Sequence, residues 1–255
     1  MKKNVLTIIP VRLASTRLPN KPLADIVGKS MIQRVYEQAL KANLGDVVIA
    51  CDGEEIAKEV EKFGGKYVLT EPNLPSGTDR IFAAYEKLKE KDGYIDGFDV
   101  ILNLQGDLPT IDPSVISSAA DAALEENCDF ATVASKITLE SEITNPNVVK
   151  IAIAFKSDNF GKALYFSRAA IPYSKKDEDY YHHIGIYAYK KEALEKFVTL
   201  SPSPLEKRES LEQLRALEND MKINVRIVDA HPLSVDTQED LEVIIKLVGT
   251  VNKGS

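Results

Sequence analysis

The chain has 255 residues, with 39 acidic side chains against 32 basic ones and a net charge of −7, a balance that favours solubility and argues against general attraction to nucleic acid or anionic lipid. Its two cysteines, Cys51 and Cys128, lack CxxC or Cys/His ligand spacing, which excludes a disulfide framework and a zinc site and points to a reducing cytoplasm. The basic start "MKKNVLTIIPVR" holds an apolar run too short for a signal segment, and nothing later approaches the ~18 apolar residues of a membrane helix, so a soluble cytoplasmic protein is expected.

Short β-branched runs alternate with helical patterns through the first half. "NVLTIIP" reads as a buried strand, "SMIQRVYEQALKAN" as an amphipathic helix, "DVVIAC" as a strand, and "EEIAKEVEKFG" as a helix stopping at Gly64. The rhythm continues through "KYVLT", "TDRIFAAYEKLKE", "DVILNLQ" and "PSVISSAADAALEEN", the last with Asp112 as N-cap and Pro113 at the first helical position. Such βαβ repetition predicts an α/β fold, a mostly parallel sheet covered on both faces, with ligands at the carboxyl ends of its strands. After about Asn127 the pattern changes. "FATVASKI", "VVKIAIAF" and "KALYFSR" are consecutive strand-like runs that predict an antiparallel extension. A polar stretch, "SKKDEDYYHH", leads into the strand "IGIYAY"; "SPSPLEKRESLEQLRALEND" reads as a turn and one helix; "KINVRIVDA" is strand-like; and a last helix begins near Thr237 with Asp240 in capping-box position.

The most informative loop follows the first strand. "IIPVRLASTRLPNKPL" places Arg12, Arg17 and Lys21 within ten residues, with Ser15 and Thr16 between the arginines. Fixed donors and positive charge at a strand end suit a triphosphate and the charge that moves onto leaving pyrophosphate. A solvated basic loop is the other explanation, and no Walker or GxGxxG pattern decides between them. Asn20 is expected to take a positive-φ turn position. Phosphoryl-transfer chemistry also calls for a hard cation on carboxylates. Asp107 in "NLQGDLP" directly follows a buried strand and Gly106, and Asp236 in "SVDT" directly precedes the last helix. Both positions also suit ordinary turn and cap aspartates.

Taken together, "IIPVRLASTRLPNKPL", "SGTDR", "NLQGDLP", "NPNVVK", "ALYFSRAAIPY", "HIGIYAY", "SPLEKRESLEQLRAL" and "SVDTQEDL" occur in the order and spacing of the 3-deoxy-manno-octulosonate cytidylyltransferase (CMP-Kdo synthetase) family, which the chain resembles over nearly its whole length. The resemblance implies a doubly wound, Rossmann-like sheet of the nucleotide-diphospho-sugar transferase type. One nucleotidyltransferase domain would span residues 1–255, with a sugar-binding and dimerisation insert at about 145–215. It also implies a homodimer that transfers CMP from CTP to Kdo with Mg²⁺, giving CMP-Kdo and pyrophosphate for lipopolysaccharide synthesis. By similarity, Arg12 and Lys21 contact the CTP phosphates, Ser15 and Ser76 help hold the nucleotide, and Asp107 and Asp236 coordinate Mg²⁺. Arg80, Gln105, Arg168, His183, Tyr187, Glu212 and Gln213 match positions at or near the sugar. The pocket for an acidic, hydroxyl-rich sugar needs such cations, carboxamides and carboxylates.

Three residues depart from the family pattern. Leu108 stands where an acidic residue is usual, and Asn20 and Gln238 replace the common glycine and proline. Leu108 beside Asp107 bears on the metal's surroundings or the sugar contact. It keeps open transfer to another acidic sugar, such as 8-amino-Kdo or a sialic acid, and a non-catalytic nucleotide-sugar binding protein.

Overall fold

The strand β1 (Val5–Val11) is buried at every position, an apolar run interrupted only by the buried Thr7 and paired in parallel with its neighbour β2. The computed structural model describes residues 4–14, 17–90, 94–174 and 178–251. Ser15 and Thr16 lie outside the described residues. α1 (Met31–Lys41) follows, burying Met31, Ile32, Val35, Tyr36 and Ala39, a stripe at helical spacing. β2 (Val47–Cys51) and β3 (Tyr67–Leu69) extend the sheet in parallel, with Ile9 opposite Ile49 and Ala50 opposite Val68. Between them α2 (Glu54–Lys62) ends where expected. Gly64 adopts φ 72°, and the amides of Gly64 and Gly65 donate to the carbonyls of Glu61 and Val60, the double bond of a Schellman cap.

α3 (Gly77–Lys89), β4 (Val100–Asn103) and α4 (Pro113–Leu124) complete the predicted alternation. Asp112 caps α4 as expected: its carboxylate accepts from the Ser114 amide at 2.8 Å, and the Ser114 hydroxyl first, then that amide, hold its pKa below the usual carboxylate value. Chain contacts gather the described residues up to Asp99, Asn103–Ile116 and those from Pro232 onward into one compact unit. Its last element, α9 (Gln238–Val251), carries the predicted capping box. Asp240 Oδ2 accepts from the amides of Asp236 and Thr237 at 3.0 and 2.9 Å, and Thr237 Oγ1 accepts from the Asp240 amide at 3.2 Å.

The second unit comprises Val100–Leu102 and Ser117–His231, and the segment at about 145–215 lies within it. β5 (Phe130–Lys136) pairs antiparallel with β8 (Tyr181–Lys190) and parallel with β9 (Ile223–Ile227). β6 (Lys150–Ser157) and β7 (Phe160–Ser167) form the predicted antiparallel pair, β7 continues onto β9, and β6 meets β8 at Lys150 and His182. The fold is therefore the expected mixed α/β class, parallel in the first unit and largely antiparallel in the second.

Four details differ from the sequence reading. β8 begins at Tyr181, inside the polar stretch "SKKDEDYYHH", because His183 is 6% exposed and buried in the second unit. Two helices were not anticipated, α5 (Glu140–Thr144) and α6 (Lys191–Thr199). The single helix expected after Ser203 divides into α7 (Pro204–Glu209) and α8 (Leu214–Glu218), since Ser210 sits in the left-handed region at φ 55°.

Candidate active site

The opening loop leaves β1 at Val11 and is held from both ends. The Leu13 amide donates to Asp52 Oδ1 at 3.0 Å. Leu18 is buried against Ile26, Met31, Val235, Leu241 and Ile244, so the same apolar cluster anchors the loop and the start of α9. Asn20 adopts φ 56° and ψ 27°, the left-handed turn expected of it, and delivers Lys21 on a short 3₁₀ turn.

Gly106 allows the second strand end to approach. A Cβ there would lie 2.5 Å from Val11 Cγ1 and 3.2 Å from the Pro10 carbonyl, too close for any side chain. Asp107 then follows, and its carbonyl accepts from the Val235 amide at 3.0 Å, which brings Asp236 alongside. Lys21 Nζ donates to Asp107 Oδ2 and to Asp236 Oδ1, both at 3.0 Å. Arg17 reaches the same Asp236 oxygen at 3.1 Å.

These residues line a cleft of about 320 Å³ within the first unit, together with Arg12, Ser76, Gly77, Arg80 and Gln105. Four cationic and two anionic side chains face it, a balance that favours a polyanionic ligand. The N-terminus of α3 adds to this field. Ser76 caps it, its Oγ accepting from the Asp79 amide at 3.1 Å and donating to Asp79 Oδ2 at 2.8 Å.

Asp107 and Asp236 suit a magnesium ion on two counts. Their oxygens converge on one ammonium, so they can converge equally on a cation of higher charge, and carboxylate oxygens are the hard donors Mg²⁺ prefers. Among the described residues no three His, Cys, Asp or Glu side chains gather into a metal cluster. A two-carboxylate site leaves the remaining coordination to phosphate oxygens and water, the usual arrangement for Mg²⁺ with a nucleotide.

Arg80 lines the cleft but is only 3% exposed. Its guanidinium donates to Thr70 Oγ1 at 2.6 Å and to the carbonyls of Glu71 and Pro72 at 3.2 Å, with Asp52 at 4.0 Å. Burial pulls its pKa down and Asp52 opposes that pull.

The remaining predicted sugar residues lie in the second unit. Thr132 Oγ1 is 2.8 Å from the Ile186 carbonyl and 3.0 Å from His183 Nε2. With the hydroxyl proton on the carbonyl, His183 donates through Nε2 and keeps Nδ1 as an acceptor. Its ring packs edge-on to Phe166 and against Tyr187. Burial, with a smaller push from His182, drives its pKa down to about 3, and burial also raises that of Tyr187. Gln213 is 4% exposed, and its Nε2 has no hydrogen-bond partner, an unmet donor suited to a ligand oxygen. Glu212 lies 3.7 Å from Arg215. Arg168 has a supporting geometry, donating to the carbonyls of Pro146 at 2.9 Å, Glu209 at 2.8 Å and Ser210 at 3.4 Å. It thereby caps α7 and braces the turn that carries Glu212 and Gln213.

The neutral His183 has a measurable consequence. Its folded pKa of about 3 lies below the ordinary 6.5, so its contribution to stability is complete above pH 6.5 and is lost as pH falls from there toward 3, at up to ~1.4 kcal/mol per pH unit. Urea midpoints measured between pH 7 and 4 are expected to fall less steeply in His183→Gln than in the unmodified protein; equal slopes would contradict the buried neutral imidazole.

The sequence leaves Arg17 open between the anion cradle and a brace for its loop, and gives no site role to Asp52 or Asp240. The clustering of Arg17 with Arg12 and Lys21 signalled it in part, whereas the contacts of Asp52 and Asp240 with the loop and with Asp236 depend on the fold.

A family model described as cytidylyltransferase matches residues 6–223. The chain belongs to the cytidylyltransferase family. It is 54% identical over 238 residues to the 3-deoxy-manno-octulosonate cytidylyltransferase of Brucella canis, covering 93% of this chain and 92% of that one. It is 52% identical to the protein of that name from Parvibaculum lavamentivorans, over 93% of this chain and 90% of the other. Among solved structures it is similar to a CMP:2-keto-3-deoxy-manno-octonic acid synthetase complexed with CTP, with a TM-score of 0.88, 36% identity, and coverage of 97% of this chain and 99% of that one. The resemblance drawn from the motifs thus extends over whole chains. The cleft around Lys21 is lined mostly by residues within the matched span. Leu108, 6% exposed, is a buried apolar residue beside its Asp107.

Proposed function

We propose that the protein transfers CMP from CTP to Kdo, giving CMP-Kdo and pyrophosphate. The observation that carries this reading is the convergence of Lys21, Arg17, Asp107 and Asp236 within one cleft, in a chain similar throughout to Kdo cytidylyltransferases. In the proposed reaction the anomeric hydroxyl of Kdo attacks the α-phosphorus in line and the bond to pyrophosphate breaks. Arg12 and Lys21 hold the phosphates and stabilise the charge that develops on the leaving group, while Ser15, Ser76 and the N-terminus of α3 hold the nucleotide. Mg²⁺ on Asp107 and Asp236 would supply charge neutralisation between phosphate oxygens. No covalent intermediate is required.

By the resemblance, we assign to the sugar Arg80 and Gln105 in the first unit and, taken separately, His183, Tyr187, Glu212 and Gln213 in the second, where Arg168 acts through the turn it braces. The unmet Gln213 donor supports this group. The homodimer and cytoplasmic location implied by the resemblance belong to the same proposal. Among the described residues no helix is long and apolar enough to cross a membrane. The test is pyrophosphate release from CTP and Mg²⁺ with Kdo, 8-amino-Kdo or a sialic acid. Kdo is expected to give the highest kcat/KM. Preference for 8-amino-Kdo would move the substrate and implicate Leu108, and nucleotide binding without turnover on any sugar would reduce the protein to a binding module.

A further inference from the structure

We infer that Lys21 is a two-position residue, which guards the paired carboxylates in the absence of nucleotide and moves to the phosphates when nucleotide and metal arrive together. This deepens the nucleotidyltransferase reading and rests on it. Lys21 Nζ donates to both Asp107 and Asp236 at 3.0 Å, so the ammonium and a divalent cation compete for the same two side chains. Arg17 holds Asp236 as well. Two cations therefore already balance the two carboxylates, and a free divalent ion meets a neutralised site with its donors engaged. A metal–triphosphate changes the balance: the phosphates offer Lys21 and Arg17 new acceptors as the carboxylates are released to the metal. Loop geometry permits such a transfer. Lys21 begins a short 3₁₀ turn fixed behind it by the buried Pro22 and by Leu18, so only the flexible side chain needs to move.

Coupling of this kind is reciprocal. Nucleotide and metal should bind with positive cooperativity, and removing the ammonium should uncouple them by strengthening metal binding alone.

The test uses Mn²⁺ as the probe, followed by electron paramagnetic resonance of the free ion, on the unmodified protein and on Lys21→Met, Lys21→Gln and Asp107→Asn. Without nucleotide, both Lys21 variants are expected to bind Mn²⁺ at least about tenfold more tightly than the unmodified protein, and Mn²⁺ should raise their Tm more. With CTP, the unmodified protein should reach the affinity of the variants, and Asp107→Asn should bind weakly in both conditions. Equal nucleotide-free Mn²⁺ affinity in folded Lys21 variants and the unmodified protein would overturn the guarding role while leaving the metal assignment intact. Failure of every form to bind Mn²⁺ with CTP, or unchanged binding in Asp107→Asn, would overturn the metal site and the guard together. Far-ultraviolet circular dichroism verifies folding, and the two Lys21 substitutions guard against a defect peculiar to either.

Discussion

Asp236→Asn is expected to lower kcat for CMP transfer by about 10²–10³-fold, a loss of roughly 3–4 kcal/mol of transition-state stabilisation, with little change in Tm. The carboxylate is partly exposed, and its oxygen serves Lys21 and Arg17 rather than the core. The backbone amide of Asp236 remains tied to Asp240, so α9 should keep its start. Asparagine preserves the shape and removes the charge. Asp107→Asn should behave alike, because its carbonyl bond to Val235 is independent of the side chain. Because the two residues act on one centre, the double variant should lose much less than the product of the single losses. Near-normal rates in either single variant would remove that residue from the chemistry.

Arg80→Met is expected to cost about 3 kcal/mol of stability and to lower Tm by roughly 10 °C. The guanidinium ties together Thr70, Glu71 and Pro72, the segment that leads to the wall of the cleft at Leu74–Ser76. Its removal leaves Asp52, 9% exposed, without the nearby cation. Thermal unfolding of Arg80→Met, Asp52→Asn and the double variant checks this. The double variant should be less destabilised than the sum of the singles, since neither lone charge remains. A sugar contact would raise the KM for Kdo with Tm unchanged; the observed geometry predicts that Tm falls as well.

The first unit was legible because each element carries its own signal. β1 and β2 are apolar runs broken only by Thr7, α1 has a clean apolar stripe, and Gly64, Asp112 and Thr237 mark helix ends through local hydrogen bonds. The second unit was less legible where distant contacts decide. The start of β8 looks polar in sequence, yet His183 is buried and neutral among aromatic rings. The break at Ser210 has no glycine to announce it, and the carbonyls there are held by Arg168, some forty residues earlier in the chain. By contrast, α6 carries a readable stripe of Ala193, Leu194 and Phe197.

The site shows the same division. Motif resemblance picked out Arg12, Lys21, Asp107 and Asp236, but the shared packing of Leu18 and Val235, with the Val235–Asp107 backbone bond, explains how residues 215 positions apart come within a hydrogen bond. Lys21 accordingly reads as a phosphate ligand in the sequence and as a carboxylate partner in the structure.

The central claim is tested most directly by the ³¹P spectrum of the Kdo incubation with CTP and Mg²⁺. Growth of a CMP-sugar phosphodiester resonance in equal amount with pyrophosphate, abolished by omitting Kdo, is the predicted result. Unchanged CTP, or pyrophosphate accompanied only by free CMP, would contradict it.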